Sequence, residues 1–319
     1  MKSINQFEKH PSMKTRILLS ALVVLAACAG CSSSNEEEEA VSDDGRHQCQ
    51  LTVTPVDDAE STRTLLDLTR ATLLPNGNTL GASWTEGDRM GCCNLSTIPP
   101  FPDIPVGTVE LVAESTAPKS RFTGSLTCKN GDHIAVVYPK NTFENGDNCA
   151  EYTLQLTGQD GKLETIAQRY HLICGVTSVA VGEDNIASAL INMKPLLTIC
   201  RFAFVDDEGT PLSVQTLTIS YTKNGSGFDA GTYPQSASIV VSQSNAQESV
   251  VALGVPGSGK LSLNASGKTE VYVALLPTGK RSFTFEVTTP DGKAYSGTAS
   301  AKLNEGEFVI APLKLLENQ

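Results

Sequence analysis

The chain is predicted to be all-β, folded as tandem antiparallel sandwiches, and three observations predict it. Short segments of alternating apolar and polar residues recur from Gln50 onward, and Gly, Asn, Asp and Pro punctuate them at close spacing. Beyond the N-terminal leader only Glu183–Met193 carries helical spacing, with Ile186, Ala187, Leu190 and Ile191 on one side. Strands joined by such short links cannot form a parallel sheet, whose crossovers take a dozen residues or more, so they should pair antiparallel and stack.

Taken in order, Leu51 and Val53 alternate with Thr52 and Thr54 in a first strand, Gln50 to Val56. Asp57 to Arg70 is polar and rich in turn formers, and Leu80, Ala82 and Trp84 alternate after it. Phe122 to Leu126 and Ile134 to Tyr138 flank Asn130-Gly131, which reads as a hairpin. Pro139 ends the second of these runs, because proline cannot donate to a central ladder. Tyr152 to Leu156 gives another strand. Past the expected helix the pattern restarts at Leu196 and runs to Leu315, with Asp291-Gly292 as its clearest tight turn. A joint near residue 190 divides this material into an N-terminal sandwich, 50–189, and a C-terminal one, 190–319.

The leader sets the compartment. Lys14 and Arg16 precede an apolar run, Ile17 to Ala27, that is too short for a bilayer span of ~20 residues but suits a secretory signal. Leu25-Ala26-Ala27-Cys28 resembles the bacterial lipobox, which implies a signal peptide over 1–27, cleavage before Cys28 and a lipid on its sulfur. Cys31 is the alternative, although Cys28 stands where that box wants leucine. Residues 28–49 read as a flexible tether whose Glu36 to Glu39, Asp43 and Asp44 stay solvated. Acidic tracts at this place resemble the surface-export signals of Bacteroidetes lipoproteins.

Charge narrows the partners. The leader carries Lys2, Lys9, Lys14 and Arg16 against Glu8, so removing its +3 from the whole-chain −11 leaves −14. A nucleic-acid surface needs clustered Lys and Arg, and none follows residue 40, so no nucleic-acid partner is expected.

Nor is a catalytic or cofactor site expected. His47, His133 and His171 are the histidines left after the leader, and His171 with Cys174 lacks the second ligand pair a structural zinc requires. Cys93 or Cys128 with His133 or His171 forms no local nucleophile signature, and Gly225-Ser226-Gly227 lacks the frame of a serine elbow. Asp206-Asp207-Glu208-Gly209 reads as solvated turn acids. Of the nine cysteines, Cys92 and Cys93 are adjacent and Cys128 and Cys200 sit within strand alternations, so most read as reduced core fillers.

Trp84-Thr85-Glu86-Gly87-Asp88, Phe122-Thr123-Gly124, Ala135 to Pro139, Met193 to Phe204, Val271 to Pro277 and Asp291-Gly292-Lys293-x-Tyr295 occur in that order behind the lipobox. Together they resemble the fimbrillin family of Bacteroidetes over roughly residues 50 to 316. The resemblance implies two transthyretin-like sandwiches, a cell outer membrane location on the outer face, and a place in a fimbrium as subunit, anchor or tip. It also implies a trypsin-like cut after an arginine behind the first strand, here Arg63 or, alternatively, Arg70. Donor-strand insertion from another fimbrial subunit would then fill the vacated groove, with host or bacterial surface ligands as further partners. Phe308 to Leu315 is either a core strand or the donor; if Phe308 to Leu316 is needed to complete the second sandwich, no spare strand remains before Gln319, and the resemblance then implies a base anchor, a terminal subunit or a non-polymerising adhesin. The alternative is a surface glycan-binding lipoprotein. Sugar sites on sandwiches use exposed aromatics, whereas aromatics make up only 6% of this chain and Trp84 reads as core.

Overall fold

A computed structural model describes residues 44–56, 72–76, 79–98, 107–117, 119–146, 149–223, 228–242 and 252–318. The described chain runs β1 (His47–Val56), a hairpin of β2 (Thr72–Asn76) and β3 (Thr79–Ser83), then β4 (Arg89–Asn94), β5 (Thr108–Ala113), β6 (Phe122–Cys128) and β7 (His133–Tyr138). A second hairpin, β8 (Glu144–Gly146) and β9 (Cys149–Gln155), leads into a helical turn, Leu163–Tyr170. After it come β10 (Ile173–Ser178), β11 (Ala180–Val181), β12 (Ile186–Asn192) and β13 (Lys194–Pro195). The remainder is β14 (Thr198–Val205), β15 (Val214–Tyr221), β16 (Ser236–Val241), β17 (Leu253–Gly254), β18 (Leu261–Lys268), β19 (Glu270–Leu275), β20 (Thr278–Thr288), β21 (Ala294–Leu303), β22 (Phe308–Lys314) and β23 (Leu316–Glu317).

One sheet carries the order β11-β12-β1-β6-β5-β4-β7-β10-β13 and curls around an apolar core. Its curl brings β12 back against β10, where a Cβ on Gly175 would stand 2.5 Å from the Asn192 carbonyl oxygen. Val136 and Tyr138 of β7 face the inner core, while Ala135 and Val137 face a second core outside the curl. A strand buried on both faces reads as a continuous apolar run, which is why Ile134 to Tyr138 shows no alternation. The second core continues through a sheet of order β17-β16-β9-β8 and between two further sheets, β19-β14-β22 and β18-β15-β20-β21-β23.

Three expectations are corrected. Glu183–Met193 is not a helix: Ile186–Asn192 is β12, with Ala187, Ala189 and Ile191 turned inward and Ile186 and Leu190 exposed. The small inward Ala189 hides the two-residue period from a reading by hydrophobicity, and pairing along β1 decides the outcome. Asn130-Gly131 does not close a hairpin, because β6 and β7 lie three places apart in the sheet. The dipeptide supplies the turn, with Gly131 at φ +84°, but its backbone docks on Val179 instead. Pairing is also not wholly antiparallel: β1 lies parallel to β12 and β14 parallel to β22. Both parallel partners come from strands far apart in sequence, so the crossover requirement is met by whole intervening sheets.

The Asp291-Gly292 turn forms as expected, with Gly292 at φ +86° and Thr289 and Lys293 bonded across it. Around Asp206 the carboxylate accepts the amides of Glu208 at 3.0 Å and Thr210 at 2.7 Å, an ordinary acidic turn.

Candidate functional site

The first strand occupies an interior place in its sheet. β1 begins three residues earlier than the alternation marks and pairs parallel with β12 from Gln50↔Ile186 to Val56↔Asn192. On its other side it pairs antiparallel with β6, from His47↔Cys128 to Val53↔Phe122. Cys49, Leu51, Val53 and Pro55 point inward and are buried, whereas Gln50, Thr52 and Thr54 face outward. A fully buried Leu or Val contributes roughly 1.5–3 kcal/mol, so this apolar set is worth on the order of 5–10 kcal/mol before ordering costs. Opposite Leu51 the sheet carries Gly124, where a Cβ would lie 2.3 Å from the Glu110 carbonyl oxygen. Glycine there lets β5 and β6 close beneath the leucine.

The start of β1 is held by a charged clasp. Arg46 donates from Nε to Asp132 Oδ2 at 2.7 Å and from Nη2 to Oδ1 at 3.0 Å, a fork-to-fork pair. Asp132 is 3% exposed and sits on the turn behind β6, where Asn94 Nδ2 also donates to it at 2.8 Å and the Lys129 amide at 3.2 Å. Arg46 reaches the Ser96 carbonyl at 3.3 Å and pairs with Asp44. Burial pushes the Asp132 carboxyl up, but hydrogen bonds from Arg46 and Asn94 outweigh it and hold the group below its ordinary value. Neither Arg46 nor Asp132 stands out in the sequence. The only local signal is a basic residue directly before a strand and an acid directly after Asn-Gly.

The residues expected to carry maturation, Cys28, Cys31, Arg63 and Arg70, lie outside the described residues. The interval that holds both arginines, 57–71, connects β1 to β2.

Of the groups considered for chemistry, Cys93, Cys128, Cys174 and His171 are buried in the core, and Gly225-Ser226-Gly227 lies outside the described residues. Burial pushes the Cys174 thiol up to about 12, and burial with the Cys49 contact does the same for Cys128. Burial likewise raises the thiols of Cys92, Cys93 and Cys200. Thiols held protonated in this way are poor nucleophiles and poor metal ligands. His171 is 2% exposed, and His133 Nδ1 lies 2.9 Å from Ser178 Oγ rather than beside a thiol. Among the described residues no group of His, Cys, Asp and Glu is placed to hold a metal ion. Trp84 is fully buried, edge-on to Phe122 at 4.6 Å and Tyr138 at 5.2 Å between ring centres, so it offers no stacking face to a sugar.

At the other end of the chain, β22 is a sheet strand. It pairs parallel with β14 from Ile199↔Phe308 to Val205↔Lys314, and Phe308 and Leu315 are buried. A cavity of about 50 Å³ lies beside it, lined by Val309, Ala311 and Leu313 of β22, by Ala299 and Ala301 of β21, and by Phe202 beneath.

No family model matches the chain, and no curated protein matches it in sequence. Solved structures share its fold. A protein from Bacteroides uniformis to which a cell-adhesion role is ascribed superposes with a TM-score of 0.53 at 14% identity, over 87% of this chain and 98% of that one. Another of the same description, from Bacteroides ovatus, gives 0.50 at 10% identity, over 85% and 95%. A fimbrial protein from Bacteroides ovatus gives 0.35 at 12% identity, over 86% of this chain and 51% of that one. At these identities the first two share the fold. The chain has the all-β sandwich fold found in cell-adhesion proteins of Bacteroides, in keeping with its sequence resemblance to fimbrillins.

Proposed function

We propose that this chain is a lipid-anchored, fimbrillin-like structural or adhesive protein of the outer cell surface that joins neighbouring subunits by exchange of a β-strand. The observation that carries the reading is the seat of β1. It is a contiguous N-terminal strand that forms no hairpin with the strand following it, yet it fills an interior place between β6 and β12.

Cys28 is the proposed lipid site, with Cys31 the alternative, and Arg63 the proposed site of cleavage, with Arg70 the alternative. Two sandwich bodies meeting near residue 190 form part of the same reading. A cut behind β1 severs its covalent tie to the rest of the fold, so only ladder bonds, four inward side chains and the Arg46 clasp retain it. Its departure would leave two unpaired strand edges over an apolar floor. An incoming strand regains both ladders at once, which is how strand addition obtains its affinity. The buried places of the thiols and of Trp84 favour this structural role over an enzyme or a glycan binder.

Limited trypsin treatment of the purified protein, followed by native electrophoresis and intact mass measurement, tests the reading. Ladders that appear only after a single cut behind β1 support it. A cut protein that stays monomeric and keeps β1 bound sinks it.

A further inference from the structure

The geometry points to a recognition rule for the strand that replaces β1: an extended segment of another protein chain bearing an arginine three residues before a run of apolar side chains at alternate positions. The rule rests on the strand exchange proposed above.

Asp132 belongs to the turn behind β6 and stays with the body when β1 leaves. Arg46 lies on the β1 side of both candidate cleavage sites and departs with the strand. Among the described residues Arg46 is the only cation paired with Asp132, and the donors that remain, Asn94 Nδ2 and the Lys129 amide, are neutral. The vacated groove therefore ends in a carboxylate only 3% exposed in the closed fold, without its counter-ion. An incoming strand that covers this carboxylate again without bringing a cation buries an unpaired charge, which is strongly destabilising, so a strand that restores the arginine is favoured.

Arginine fits this end better than lysine. The guanidinium meets both carboxylate oxygens and still reaches the Ser96 carbonyl, which a single ammonium cannot reproduce. The spacing follows from the register: Arg46 lies outside the ladder, and Cys49, Leu51 and Val53 fill the floor at two-residue steps. This chain's own C-terminal strand does not meet the rule. Placing Phe308, Ile310 and Pro312 at the positions of Cys49, Leu51 and Val53 sets Glu305 where Arg46 stands, against Asp132. The matching occupant is therefore a strand with the pattern of β1 carried by another molecule, not β22.

The test uses the full chain cut with trypsin, with the protease then inactivated, and fluorescent peptides of the 44–56 sequence in reductant. The native peptide is expected to bind the cut protein and not the uncut one. The Arg46→Ala and Arg46→Glu peptides should bind about 30-fold or more weakly. The Asp132→Asn protein should lose this discrimination. Equal binding of all three peptides to the wild-type groove overturns the rule while leaving strand exchange intact, and needs no protein variant. Entry of none of them, with β1 shown by mass to have departed, overturns strand exchange and the rule together.

Discussion

Arg46 Nε and Asp132 Oδ2 stand 2.7 Å apart across 86 residues of sequence, and they fix where the first strand begins. The pair joins the residue before β1 to the turn between two strands that do not neighbour each other. Strand register, which a one-residue slip would invert, is thus pinned from outside the ladder.

Removing the acid should expose how much the fold relies on this clasp. Asp132→Ala leaves the half-buried Arg46 guanidinium without its fork partner and is expected to cost about 3 kcal/mol or more in urea unfolding. Asp132→Asn keeps the shape and one acceptor and should cost less. A midpoint unchanged by Asp132→Ala would remove the clasp from the account.

The same pair predicts a pH dependence. The Asp132 carboxyl titrates below its ordinary value in the fold, so it contributes stability above the unfolded carboxyl pKa of about 4 and loses it as pH falls through the lower folded value. Wild-type protein should therefore lose more stability than Asp132→Asn between about pH 5 and pH 2. Parallel curves for the two proteins would contradict this.

Trp84 makes the inner core observable. As the only tryptophan, fully buried against Phe122 and Tyr138, it should emit as a buried indole and resist acrylamide quenching until unfolding. Trp84→Ala should cost about 3–5 kcal/mol. Added glycans should leave the emission unchanged, and a saturable shift with a sugar would favour the glycan-binding alternative.

Thiol chemistry separates core from surface. Of the seven described cysteines none is in a disulfide, and Cys149 alone is partly exposed. Among the described cysteines, an alkylating reagent at pH 8 should modify Cys149 first and reach Cys92, Cys93, Cys128, Cys174 and Cys200 only with denaturant, because burial holds those thiols protonated. Rapid native labelling of Cys128 or Cys92, read by peptide mass mapping, would contradict the packing described.

Gly124 tests the seat of β1 itself. A methyl group there would press on the Glu110 carbonyl and on Leu111 Cδ2 at 2.9 Å, beneath Leu51. Gly124→Ala is expected to cost about 1–3 kcal/mol, since the nearest obstacle is backbone. A neutral effect in thermal unfolding would mean that β5 and β6 can part at that point without loss.

Residue order alone determined the fold class, most strand positions and, in β1, the inward places of Leu51 and Val53. Alternation, turn dipeptides and proline placement act within a few residues, so Leu51 and Val53 or Asp291-Gly292 declare themselves locally. The buried place of Trp84 was legible for the same reason, as the end of an apolar alternation. Tertiary structure decided which strands meet. Asn130-Gly131 specifies a bend but not a partner, and Ile186 to Asn192 holds a helical and an extended pattern at once until β1 lies beside it. The Arg46–Asp132 clasp belongs to the same class. Its two halves are unremarkable charges in the chain, and only the fold, by removing water from around them and setting them face to face, makes them a site.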